Sequence, residues 1–96
     1  MKIVWSASAE EDLANIVDYI AKDNINAALR IDELLRNAAS NLCFYPLKGK
    51  QGRVLGTREL VVHPNYILIY TQSNNNINII NILHTSQQYP PEQFYI

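Results

Sequence analysis

The sequence predicts an α+β fold of two layers, with an N-terminal strand and an antiparallel helix hairpin packed on a small antiparallel sheet. Three observations predict it. Apolar residues recur at helical spacing as far as about residue 42, then alternate or run continuously after Tyr45-Pro46, with β-branched residues in the majority. The breaks between these segments are short, which makes successive elements antiparallel neighbours. The chain has 96 residues, of which 48% are hydrophobic. That is one domain's worth, residues 1–96, with roughly 60–65% of the unfolded surface available to bury and no room for a second core.

Each element follows from its residues. Lys2 to Trp5 is short and β-prone, and belongs at an edge or beside a later strand. Ser8-Ala9-Glu10-Glu11 reads as a capping box and places the start of a helix at Ala9. Leu13, Ile16, Val17 and Ile20 then form one apolar stripe, while Glu11, Asn15, Asp18 and Lys22 face water. Asp23-Asn24-Ile25-Asn26 prefers caps and turns and interrupts the pattern. A second helix runs from about Ala27 to Asn41, with Ala28, Ile31, Leu35, Ala38 and Leu42 at helical spacing and Asp32–Arg36 as an i,i+4 pair. Arg53-Val54-Leu55 and Arg58 to Val62 flank Gly56-Thr57 as strands. Tyr66 to Tyr70 follows His63-Pro64-Asn65, and Ile77 to Leu83 follows the turn Ser73-Asn74-Asn75-Asn76. Tyr66, Leu68 and Tyr70 share one strand face and read as core. Beyond Tyr89, Pro90 and Pro91 prevent a further strand, and the tail reads as an extended apolar patch.

Composition excludes several classes. No apolar run approaches the roughly 20 residues of a membrane-spanning helix, and the N-terminus turns polar at Ser6, without the apolar region of a secretory signal. A cytoplasmic location is expected. Cys43, the only cysteine, can form no internal disulfide and reads as a buried thiol between Leu42 and Phe44. His63 and His84 lie 21 positions apart without further ligands, so neither a metal site nor another cofactor is expected. No Gly-rich phosphate loop is present. A formal charge of −1 and a pI of about 6.0 rule out a surface that grips phosphate throughout. The charges are nonetheless segregated: acidic groups dominate up to residue 42, whereas Lys48, Lys50, Arg53 and Arg58 fall within eleven residues opposed only by Glu59.

Several of these segments, taken in order, resemble a known family. They are Trp5-x-x-x-Ala9-x-x-Asp12-Leu13-x-x-Ile16-x-x-Tyr19-Ile20, then Ala27-Ala28, Leu42 to Pro46, the run Gly52-Arg53-Val54-x-Gly56-Thr57-Arg58-Glu59-Leu60-Val61-Val62, Tyr66-Ile67-x-x-Tyr70 and His84-x-x-Gln87. This order is similar to the RelE/ParE toxin superfamily over nearly the whole chain. The resemblance implies a toxin of a type II toxin–antitoxin module, acting in the bacterial cytoplasm and held inactive by a cognate protein antitoxin.

Two mechanisms come with the resemblance. RelE-like members cleave mRNA on the ribosome, which requires an acid, a base and cations at the scissile phosphate. In such nucleases an arginine commonly stands where this chain has Ile67, and after Arg58 the sequence holds no Lys or Arg. The residues left for that chemistry are Arg58, His84 and Tyr89. ParE-like members poison DNA gyrase, which needs no catalytic group, and the Gly-Thr-Arg-Glu-Leu-Val-Val run looks more like that branch. The expectation is therefore a gyrase inhibitor, with a ribosome-dependent endoribonuclease or a module that has lost toxicity as alternatives. Lys48, Lys50, Arg53 and Arg58 are the candidate target contacts, although one of the arginines can equally pair with Glu59 or a carboxylate of the first helix. Leu13, Ile16, Tyr19, Phe94 and Tyr95 are the candidate antitoxin contacts, since the chain carries more aromatic surface than so small a core needs.

Overall fold

The computed structural model describes residues 1–91. Its elements are β1 (Lys2–Trp5), α1 (Ala7–Ala21), α2 (Ile25–Asn41), β2 (Lys50–Gln51), β3 (Arg58–His63), β4 (Tyr66–Ser73) and β5 (Asn76–His84). The five strands form one sheet in the order β1-β5-β4-β3-β2. Strands β2 to β5 form an antiparallel meander. The helices carry the chain from β1 to the far edge, and the meander returns it so that β5 lies parallel to β1. The sheet is thus mixed, where the sequence predicted an antiparallel one.

Both helices start two residues earlier than predicted. Ser6, in extended conformation directly after β1, caps α1 by accepting from the Ala9 amide at 3.0 Å. Its hydroxyl also donates to the Ile80 carbonyl at 2.7 Å, a tertiary bond that Ser8, already inside the first turn, does not make. Asn24 caps α2 by accepting from the Ala27 amide at 3.0 Å, so Ile25 and Asn26 join the helix instead of the turn. The asparagine turn is as expected. Asn74 and Asn75 have φ of 50° and 61°, the left-handed pair that a two-residue hairpin requires and asparagine tolerates.

The stretch Arg53-Val54-Leu55 is not a strand. The Gly52 amide donates to the Thr57 carbonyl and the Thr57 hydroxyl to the Val54 carbonyl, at 2.8 and 2.6 Å, while Gly56 takes φ +85°. These bonds close a compact loop, and the strand that pairs with β3 is Lys50–Gln51.

The helices cover one sheet face, burying Leu13, Leu35, Ala39 and Leu42 against Leu68, Tyr70, Ile77, Ile79 and Ile82. On the opposite face Ile67, Ile69 and Leu83 form a second cluster with Ile80 and Tyr89. Apolar side chains on both faces explain the continuous run in β4. Cys43 is half-buried, where the sequence predicted a buried thiol, with Sγ 3.4 Å from the Met1 carbonyl.

β1 ends opposite Ile79, and among the described residues the rest of that β5 edge has no strand partner. Asp12 of α1 takes over there: Oδ2 accepts from the Ile82 amide at 2.9 Å and from Asn81 Nδ2 at 3.0 Å. One carboxylate therefore ties helix to sheet across some seventy positions of sequence. Asp12→Ala is expected to cost about 2 kcal/mol, the worth of hydrogen bonds to a charged acceptor, read as a lower urea midpoint with an unchanged denaturant slope.

Candidate functional site

Two regions carry the chemistry, one at each end of β4. The first is the 44–59 region beside Tyr70. Strand alternation directs Glu59 to the face away from the helices, where it is only 3% exposed. Its carboxylate accepts from Arg53 three times: from the backbone amide at 2.8 Å, from Nε at 2.9 Å and from Nη2 at 2.9 Å. The Arg53 side-chain bonds hold the Glu59 carboxyl below its ordinary range. They outweigh the opposing effect of burial, with the Arg53 amide and the charges of Arg53 and Lys50 adding to them. Tyr89 lies on the same face, and its phenol is pushed up by burial and, next, by the Glu59 charge.

Arg58 points to the other side and its Nη1 donates to the Gly49 carbonyl at 2.7 Å. The Tyr70 hydroxyl donates to the Pro46 carbonyl at 2.8 Å and accepts from the Gly49 amide at 2.9 Å. Gly49 is required at this contact, since a Cβ there would stand 2.8 Å from the Tyr70 ring and hydroxyl. Beyond this clamp the chain displays Phe44, Tyr45 and Leu47 to solvent, with Lys48 and Lys50 also exposed.

The second region is a groove of about 630 Å³ between the helix hairpin and the ends of β3, β4 and β5. Ile16, Ile20, Ile31 and Ile82 contribute its apolar lining, and Asp12, Asn15, His63, His84 and Gln87 its polar groups. Tyr66 sits between the two imidazoles, 5.6 Å from His63 and 5.8 Å from His84 by ring centres. Each imidazole accepts through Nδ1 from the amide two residues on, Asn65 at 3.0 Å and Ser86 at 3.1 Å. That bond places the ring proton on Nε2 in the neutral form. Among the described residues no lysine or arginine lines the groove, and no three of His, Cys, Asp and Glu are placed to hold a metal.

The residues predicted from sequence separate accordingly. Arg58, His84 and Tyr89 do not meet. Arg58 pairs in register with Tyr70, and His84 with Tyr66, four strand residues or about 13 Å apart. Tyr89 belongs to the opposite face. Among the candidate target contacts, Lys48 and Lys50 are exposed, whereas Arg53 and Arg58 are engaged by Glu59 and Gly49. Among the candidate antitoxin contacts, Ile16 and Tyr19 line the groove, with Tyr19 largely exposed. Leu13 is a correction: the stripe that made it a candidate turns it into the core, where it is 3% exposed and unavailable to a partner. Phe94 and Tyr95 lie outside the described residues.

Sequence reasoning missed the roles of Asp12 and of the Tyr70 hydroxyl. Both act on backbone groups distant in sequence, and no spacing pattern announces such a bond. The Arg53–Glu59 pair is one of the pairings the sequence leaves open, since either arginine could meet Glu59 or a carboxylate of the first helix.

Comparison with known proteins adds the following. Residues 3–89 match the family described as ParE toxin of type II toxin-antitoxin system, parDE. Y4kP of Sinorhizobium fredii is 34% identical over 89 residues, covering 93% of each chain. Toxin RelE2 of Caulobacter vibrioides is 35% identical over 86 residues, covering 90% of this chain and 97% of its own. Among solved structures, the chromosomal ParDE toxin–antitoxin system from P. aeruginosa superposes with a TM-score of 0.77 at 22% identity, covering 88% of this chain and 95% of that one. The E. coli DinJ-YafQ toxin-antitoxin complex gives 0.59 at 18% identity, with 92% and 96% covered.

Lowering of the Glu59 pKa in the folded state has a defined consequence. The stability it contributes is complete above the unfolded value of about 4.5 and is lost as pH falls through the lower folded value. Glu59→Gln is expected to be less stable than wild type near neutral pH by about 2 kcal/mol, because it removes the charged acceptor of the Arg53 bonds while Arg53, whose side chain is 44% exposed, stays solvated. The difference should shrink progressively below about pH 4.5, as measured by urea unfolding at a series of pH values.

Proposed function

The chain belongs to the ParE toxin family of type II toxin–antitoxin systems, and on that premise we propose that it arrests growth by occupying DNA gyrase and is neutralised by a cognate protein antitoxin. The observation that carries this reading is the disposition of the cations. Cleaving a phosphodiester takes an acid, a base and positive charge in one cleft. Here Arg53 and Arg58 are bound to acceptors of the protein itself, and the groove that holds both histidines contains neither Lys nor Arg. An inhibitor that acts by binding needs none of these groups together. No helix among the described residues is long and apolar enough to cross a membrane, and the proposed site of action is the cytoplasm, where gyrase works.

The antitoxin reading is supported by the structural neighbours, which include a ParDE system and a DinJ-YafQ complex. The groove beside α1 offers an apolar floor with Ile16 and Tyr19 at hand, suited to an amphipathic segment. The second reading, a ribosome-dependent endoribonuclease, is favoured by one observation: His63 and His84 flank Tyr66 and could serve as a proton-transfer pair.

The two readings divide in a paired assay. Purified protein is expected to inhibit supercoiling by purified gyrase and to leave mRNA intact in a translating extract. Cleaved mRNA with unimpaired supercoiling, the cleavage abolished in His63→Ala/His84→Ala, would establish the nuclease instead.

A further inference from the structure

We infer that the segment Phe44–Lys48 is a preorganised docking loop for a folded protein partner, one that presents an apolar cleft with an acidic rim. The inference rests on the gyrase reading for the partner's identity and deepens it by assigning the contact. The loop differs from an ordinary exposed turn in two respects. It carries three large apolar side chains, Phe44, Tyr45 and Leu47, which are 77%, 61% and 66% exposed. It is also fixed. The Phe44 and Tyr45 amides donate to the Asn41 carbonyl at the end of α2, and the Lys48 amide donates to the Tyr45 carbonyl. The Tyr70 hydroxyl bonds both Pro46 and Gly49, and Arg58 bonds the Gly49 carbonyl. Holding large apolar groups rigidly in water contributes nothing to the fold. It does lower the entropic cost of inserting them into a partner, as at the aromatic centres of protein interfaces.

Charge selects the occupant. From residue 34 to residue 58 the chain contains five cationic side chains and no carboxylate. Arg36 pairs with Asp32, Arg53 with Glu59, and Arg58 faces a carbonyl. Lys48 remains beside the apolar tip and Lys50, opposite Glu59 in β3, is exposed two residues on, so a complementary surface carries carboxylates around a hydrophobic recess. Tyr45, Pro46, Leu47 and Lys48 together form one shallow, open surface. Two lysines are too few to track a nucleic-acid backbone. In this arrangement Arg58 and Tyr70 are positioning residues. They set the shape of the loop and make no contact with the target.

The test uses the full chain with gyrase and with its antitoxin. Phe44→Ser/Leu47→Ser alters exposed positions only, and Leu47→Ser alone serves if the double variant unfolds. The expected result is an unchanged thermal midpoint, antitoxin affinity within about twofold of wild type, and a loss of at least tenfold in supercoiling inhibition and in growth arrest. Lys48→Glu is expected to slow association and weaken inhibition as well. Full inhibition by the folded apolar variant would overturn the docking loop while leaving the gyrase reading intact. Loss confined to the lysine variant would overturn it too, pointing to a charge-only contact such as nucleic acid. Should wild-type protein leave supercoiling unaffected, the gyrase reading falls, and growth arrest decides the loop: arrest abolished in the apolar variant supports it, and undiminished arrest overturns it.

Discussion

The bonds from Arg53 to Glu59 shape the middle of this molecule. A carboxylate on a nearly closed sheet face is costly unless every bond it can accept is supplied. Arg53 supplies two from its guanidinium and one from its own amide. That backbone amide is thereby drawn out of any strand ladder, which is why 53–57 is a loop and β2 is only two residues long. The same bonds fix the direction of a guanidinium that the sequence alone leaves available to phosphate. A charge-rich segment therefore gains a rigid loop.

β4 separates the two candidate sites. At Tyr66 it closes a groove against the helix hairpin, lined by histidines and isoleucines. At Tyr70, four residues along, it pins the loop that carries Phe44, Tyr45 and Leu47. Because both tyrosines lie on the helix-facing side, one strand face orients both surfaces. An antitoxin segment seated in the groove and a target held at the loop would then occupy different ends of one rigid strand. Asp12 secures the groove end by completing the β5 edge that β1 is too short to cover.

The outline was legible in the sequence because it rests on periodicity. The stripe Leu13, Ile16, Val17, Ile20, the inner face of α2, and the alternation of Tyr66, Leu68 and Tyr70 each state a period and a face. The asparagine turn was legible because its dihedral angles demand those residues. What escaped depends on long-range partners. Ser6 and Ser8 are equally good caps locally, and only the Ile80 carbonyl distinguishes them. The parallel pairing of β1 with β5 is decided by where the meander ends, not by anything within Lys2–Trp5. For the site, the island Lys48 to Arg58 was visible as charge, but which cations face outward is set by Glu59, Gly49 and Tyr70. Leu13 shows the converse: its stripe was read correctly and its availability was not.

Action by protein-to-protein occupancy, with no nucleic acid in the contact, is the property proposed for this toxin on which the rest turns. Calorimetric titration of the purified protein into gyrase stripped of DNA and RNA measures that directly. A saturable complex with about one toxin per binding subunit is the predicted result. The absence of binding there, together with binding to RNA-loaded ribosomes and RNA products ending in 2′,3′-cyclic phosphate, would contradict it.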